Sequence, residues 1–355
     1  MQLVLFCVYP LIFTLHPWGS NQIKIENRQS QEHKMPPPRS FHEIKTICER
    51  FSEPTQTQAV NAFGQQKGKS KLGRLEEIID WLTQWQKAGP RCAQTKIAIF
   101  AANHGISNHK EKTQARIRAA LEGRSVINQL CSFVDAALKL YEMAPEQPTA
   151  DISENAAMSE GDCANAIAYG MMAVEDGIDI LCLGDMAEDN NLSAAALCLA
   201  LLGGREEDWI EGKEKQNLIK KAVSRQKSPE QKKNWKQKKN WEQNQDPWQV
   251  LTALGGLETS AIIGAIIAAR IAQIPVILDG FACCTAAMVL AKSFPNALDH
   301  CLIAHLSKDR GHKVLCEKLG KKPLMSLDID LSDATGAALA LTIVKTAVDT
   351  HNALA

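Results

Sequence analysis

The feature that most limits how this chain can fold is a series of short apolar runs, each closing on a glycine or a polar residue. They are Lys96-Ile97-Ala98-Ile99-Phe100-Ala101-Ala102, Gly177 to Met186, Ile274 to Phe281 and His300 to Leu306. Runs this short and this uniformly apolar fit strands buried on both faces. Helix-period segments alternate with them; Leu72, Leu75, Ile78, Ile79, Leu82 and Trp85 recur at helical spacing until Gly89-Pro90 ends the pattern. The alternation predicts an α/β protein with a mostly parallel sheet flanked by helices. In such sheets ligands bind at the C-terminal ends of the strands. The residues delivered there are Asn103, His104 and Gly105, then Gly184 and Asp185, then Asp279, Gly280 and Phe281, and finally His305 and Ser307. His104 is either a ligand contact or a satisfied structural histidine.

Further elements follow in order. A helix is expected over about Thr113 to Val134, a strand over Leu138 to Glu142 and a loop over Met143 to Asn155. Helices are expected over Met158 to Val174 and Ser193 to Leu202. Gly255-Gly256 precedes an apolar helix from about Thr259 to Ala272. That double glycine can present free N–H groups to a phosphate, or serve only as a tight turn.

Residues 1–34 read as an extension, disordered or left by an upstream start, with Met35 as the functional initiator. The apolar run from Gln2 to Leu15 lacks a preceding Lys or Arg and is broken by Pro10. Residues 35–90 supply a helical part, 91–330 the α/β core and 331–355 a C-terminal helix. A polar insertion, 225–247, repeats Lys-Lys-Asn-Trp around Trp235 and Trp241. It resembles a nucleic-acid platform superficially, but a solvated surface loop explains it better.

Forty basic residues balance forty acidic ones, so no global field favours nucleic acid or an anionic membrane, and small molecules are the expected partners. The eleven cysteines are spread thinly and several sit in apolar runs, which suits free thiols in a reducing, cytoplasmic setting. Cys283-Cys284 lacks metal-ligand spacing, and neither a structural metal nor a cofactor is expected.

Near the C-terminus, Leu331-Ser332-Asp333-Ala334-Thr335-Gly336-Ala337-Ala338 places a lone carboxylate at the mouth of a small-residue helix. Ser332 or Asp333 can be an N-cap, stabilising the helix by about 1 kcal/mol. Alternatively, Asp333 can accept a proton from a ring nitrogen, with Gly336 and the alanines letting a flat ligand approach.

Taken together, these residues resemble the nicotinate-nucleotide:dimethylbenzimidazole phosphoribosyltransferase family of cobalamin nucleotide-loop assembly. The resemblance runs from about Lys71 to Leu354 and is carried by several stretches. They are Leu72-Gly73-Arg74-Leu75-Glu76, Asn103-His104-Gly105, Gly184-Asp185-Met186, Gly255-Gly256 with Glu258, Leu278-Asp279-Gly280-Phe281, Ala304-His305-Leu306-Ser307 and Thr335-Gly336-Ala337-Ala338-Leu339. It implies a Rossmann-like sheet, a smaller helical domain built from both termini, a homodimer and a reaction that needs no metal. It also implies attack of a benzimidazole nitrogen on C1 of nicotinate mononucleotide, with Asp333 as general base. Asp185, Asn103, His104, Gly184, Asn190, Gly255 and Gly256 are then expected on the substrate side. Asp279, Gly280, Phe281, His305, Ser307, Thr335 and Gly336 complete the expected pocket.

The sequence also departs from the family pattern. Asp185 and Asp333 stand where the family carries glutamate, and Asn190-Asn191-Leu192 replaces Asn-Thr-Thr. Asn103 replaces an acid before His-Gly. These changes leave a second reading, a homologue that binds a nucleotide or base without turnover.

Overall fold

The structure is a computed structural model that describes residues 12–15, 38–51, 54, 72–226 and 245–354. In chain order the elements are β1 (Ile12–Leu15), α1 (Phe41–Cys48), α2 (Arg74–Trp85), β2 (Thr95–Ala101), α3 (Lys110–Leu121), α4 (Val126–Val134), β3 (Ala137–Glu142), α5 (Glu160–Met171) and β4 (Ile180–Met186). Then come α6 (Asn190–Leu202), α7 (Glu206–Trp209), α8 (Lys213–Arg225), α9 (Pro247–Leu254), α10 (Leu257–Ala272), β5 (Val276–Leu278) and α11 (Gly280–Ser293). The last are β6 (Cys301–Ile303), β7 (His305–Leu306), α12 (Arg310–Leu319), β8 (Met325–Ser326) and α13 (Thr335–Leu354).

One sheet runs in the order β1-β3-β2-β4-β5-β6. All neighbours in it are parallel except β1, which pairs antiparallel with β3 along the outer edge. The expected α/β architecture is therefore present. Of the N-terminal extension, Ile12–Leu15 occupies that edge, and the rest lies outside the described residues. So does the Lys/Trp repeat, of which only the flanks at 225–226 and 245–247 are described.

Strand pleating sorts β2 between two cores, because successive side chains point to opposite faces. Ala98 and Phe100 join a cluster with α1, α5, α6, α9, α10 and α11. Ile97, Ile99 and Ala101 join the other with α2, α3, α4 and α13. Helix α2, near the start, and α13, at the end, thus share one face of the sheet, while α1 packs on the opposite face through Phe41 against Trp248.

Three boundaries differ from expectation. The stretch Thr113 to Val134 is two helices, because Gly123 adopts φ +73° and Ser125 opens α4 with a capping box to Asn128. The strand expected over Ile274 to Phe281 shrinks to Val276–Leu278; Gly280, at φ +64°, turns the chain straight into α11. The strand expected over His300 to Leu306 divides, with β7 leaving the main sheet to pair with β8.

Candidate active site

Strand β4 ends on Gly184-Asp185-Met186, and its tip is closed by the segment that leads into α13. The Asp185 N–H donates to Ser332 O at 2.8 Å. Gly184 permits this approach, since a Cβ there would lie 2.5 Å from Ala334 N and 2.6 Å from Ala334 Cβ. Ala334 is buried in the left-handed region, φ +65°, where an alanine is strained. The backbone on either side of Asp333 is thus pinned between β4 and the helix.

The helix cap falls to a different carboxylate. Asp279, which follows β5, accepts from Ala337 N–H at 2.8 Å, so its oxygen satisfies a free donor in the first turn of α13. Asp333 instead accepts from the Thr335 hydroxyl at 2.6 Å through Oδ1. Its Oδ2 is 4.0 Å from Arg116 Nη2. With the cap supplied from β5, Asp333 is left for another use.

Asp279 also pairs with His305 at 3.3 Å, and both are fully buried. Gly336 packs on this pair: a Cβ there would lie 2.0 Å from His305 Nδ1 and 2.6 Å from Asp279 Oδ1. Burial pushes the Asp279 carboxyl up, partly offset by His305.

On the other side of β4, His104 Nε2 meets Glu258 Oε1 at 2.8 Å, again fully buried. Burial disfavours the charged histidine, but the Glu258 carboxylate outweighs it and the His104 pKa is raised. For Glu258 burial acts upward and is overcome by His104, so its carboxyl titrates lower than usual. Gly256 lies against this pair and has no room for a side chain, as its Cβ would be 2.5 Å from both Glu258 Oε2 and His104 Cε1.

Asp185 sits among these groups. Its Oδ1 accepts from the Asn190 amide, and Oδ2 is buried without a hydrogen bond. Burial first, and then the negative charge of Glu258, raise its pKa well above the ordinary carboxylate value, against the pull of Arg116. Asp185 therefore keeps its proton to higher pH than a free carboxyl and can donate from it.

The remaining expected residues are placed as follows. Asn103 is buried and donates to Pro145 O at 2.8 Å, bracing a neighbouring loop. Phe281 is buried in the core against Gly311 and His312. Ser307 donates to Asp309 at 3.1 Å, and its N–H donates to His312 Nδ1 at 3.0 Å. Gly255 lies close to Leu251 O at the end of α9, and its N–H donates to that oxygen at 2.7 Å. Sequence reasoning singled out Glu258 beside Gly255-Gly256 without giving it a site role, and left Arg116 and Glu188 out altogether. Glu258 had one available signal, as the only acid in a mostly apolar sixteen-residue helix.

A cavity of about 340 Å³ lies at the opposite edge, near the start of β6, lined in part by Leu202, Met288, Lys292, Asp299, Lys318 and Lys321. It is remote from the strand tips, where the buried acids and histidines His104, Glu258, Asp185, Asp279 and His305 converge.

A mostly parallel sheet that gathers buried carboxyls and histidines at its strand ends is a framework suited to acid–base chemistry on a bound small molecule. Residues 48–355 match the phosphoribosyltransferase family, and the chain belongs to it. Its similarity runs to proteins named nicotinate-nucleotide–dimethylbenzimidazole phosphoribosyltransferase. That of Allorhizobium ampelinum is 41% identical over 298 residues, 81% of this chain and 85% of that one. The Rhizobium leguminosarum bv. trifolii protein is 38% identical over 328 residues, 89% of this chain and 95% of that one. The crystal structure of the Thermus thermophilus enzyme of the same name superposes with TM-score 0.69 at 27% identity, covering 88% of this chain and 95% of that one.

Proposed function

We propose that the protein transfers the phosphoribosyl group of nicotinate mononucleotide to 5,6-dimethylbenzimidazole, giving α-ribazole 5′-phosphate and nicotinate. A benzimidazole ring nitrogen attacks ribose C1 from the face opposite nicotinate, and the configuration inverts. The C1–N bond to nicotinate breaks with its electron pair passing to the pyridine nitrogen, which loses its positive charge. The proton on the other benzimidazole nitrogen goes to Asp333, so the product ring is neutral. Such general-base assistance contributes about 10²- to 10⁴-fold.

The observation that carries this reading is the division of labour between two carboxylates at α13. Asp279 caps the helix, and Asp333, only 5% exposed, keeps an oxygen free of any hydrogen bond in the described residues. Asp185, protonated to higher pH, can donate to a substrate oxygen while Asp333 accepts. His104, Asn190, Gly184, Gly255 and Gly256 would form the nucleotide side; Thr335 and Gly336 position the base.

We further propose a cytoplasmic homodimer. Ten cysteines are free and buried among the described residues, as a reducing compartment allows, and no helix there is long and apolar enough to cross a membrane. Val126 and Phe133, two turns apart on α4, expose apolar side chains that support pairing with a second copy.

The test is to incubate the full chain with nicotinate mononucleotide and 5,6-dimethylbenzimidazole and separate the products. Stoichiometric nicotinate and a ribazole phosphate of α configuration are expected. Neither product forming would refute the assignment.

A further inference from the structure

Arg116 is a cation that no sequence motif marks, yet it lies against the proposed base. It projects from α3, and its Nη1 donates to Glu188 Oε1 at 3.2 Å. Glu188 follows β4, and its own N–H donates to the Thr113 hydroxyl at 3.0 Å, one turn earlier on α3. Thr113 and Arg116 lie three residues apart and share a helix face, so together they clamp the turn after β4 and tether the guanidinium. The second terminal nitrogen, Nη2, is buried, makes no hydrogen bond and lies 4.0 Å from Asp333 Oδ2.

A carboxylate held at one oxygen can still rotate about that contact. Thr335 fixes Oδ1 of Asp333 and leaves the plane of the group undefined. A guanidinium at Oδ2 supplies the second point, and two points fix the plane. The plane matters because a carboxylate accepts a ring N–H best along its in-plane lone pairs. Aspartate, with only two side-chain torsions, cannot recover the angle by bending further along its chain.

Resting on the phosphoribosyl-transfer reading above, we propose that Arg116 is a positioning residue that orients the Asp333 carboxylate for proton acceptance, with Glu188 holding the guanidinium in place. At 4.0 Å the contact is an ion pair rather than a hydrogen bond.

Steady-state turnover of the full chain separates this role from a merely structural one. Arg116→Met is expected to lower kcat by about 10- to 100-fold, with KM for both substrates changed less than about twofold. Arg116→Lys should recover part of the loss. Added guanidinium chloride, at non-denaturing concentration, should raise kcat of Arg116→Ala saturably, while equal sodium chloride should not. Glu188→Gln is expected to lower kcat by a smaller factor, again without moving KM. Wild-type kcat in Arg116→Met, together with inactive Asp333→Ala, would overturn the inference and leave the reading beneath it standing. Full turnover by Asp333→Ala would remove that reading itself. Should Arg116→Met fail to fold by circular dichroism, wild-type kcat in both Arg116→Lys and Glu188→Gln would overturn the proposal.

Discussion

At the scale of single residues, the site depends on where side chains are absent as much as on which are present. Gly336→Ala would drive a methyl into the Asp279–His305 pair, and a shift of that pair would disturb the cap of α13. We expect it to cost about 1–3 kcal/mol by denaturant titration and to lower turnover as well. Wild-type stability would show that the pair can move aside. Two buried histidines outside the acid group set a pH dependence. Burial, helped by Arg270 for His300 and by His305 for His312, lowers both from the ordinary 6.5 to about 3. Their folded pKa values are depressed, so the unfolded chain binds the extra protons. The stability gained from keeping them neutral is complete above pH 6.5 and is lost as pH falls from there towards 3. Between pH 6.5 and 4 these two histidines should therefore lower the melting temperature of the wild type relative to a His300→Asn, His312→Asn double variant that remains folded, and the gap should widen as pH falls. Asp185, Asp279, Asp333, His104 and His305 were legible in the sequence because each ends a strand or opens a helix. Glu258 was visible beside Gly255-Gly256 but carried no role, since an acid in a first helical turn reads as a dipole partner, and Arg116 was not legible, since a cation on a polar helix reads as a solvated face.

At the scale of elements, α5 and α10 meet backbone to backbone, and glycines set the approach. A Cβ at Gly170 would lie 1.8 Å from Ala261 O, and one at Gly264 would lie 1.9 Å from Ile167 O. Backbone meets backbone there, with no flexible side chain to yield. Gly264→Val is expected to destabilise by more than about 3 kcal/mol or to abolish soluble expression, whereas Gly161→Ala, on the exposed start of α5, should change stability by less than about 0.5 kcal/mol. Equal effects at the two positions, read by urea unfolding, would contradict the packing. The strands were legible because burial on both faces leaves continuous apolar runs. Helix α11, Gly-Phe-Ala-Cys-Cys-Thr-Ala-Ala-Met-Val-Leu, was missed for a related reason. It is buried on nearly every side, so no polar stripe reveals the helical period, and the run merges with β5 before it.

At the scale of the whole molecule, the balanced charge, the two-faced sheet and the family membership agree on a small-molecule enzyme. The sheet order puts β4 at the centre, with β2 on one side and β5 on the other, so the tips bearing His104, Asp185 and Asp279 are neighbours although distant in sequence. That adjacency could be expected from alternation alone, but the partner of each side chain could not. Pairings such as His104 with Glu258 depend on helix placement, which short-range patterns do not encode. For the assembly, Phe133 is 76% exposed, and Phe133→Asp is expected to shift the mass measured by light scattering from two chains towards one. An unchanged dimer would move the interface elsewhere, and a monomeric wild type would dismiss the pairing. Asp333→Asn tests the central assignment most directly, since it keeps the shape of the side chain and removes its capacity to take up a proton. With both substrates saturating, kcat should fall by about 10²- to 10⁴-fold while the protein stays folded; turnover equal to that of the wild type would contradict the role given to this carboxylate.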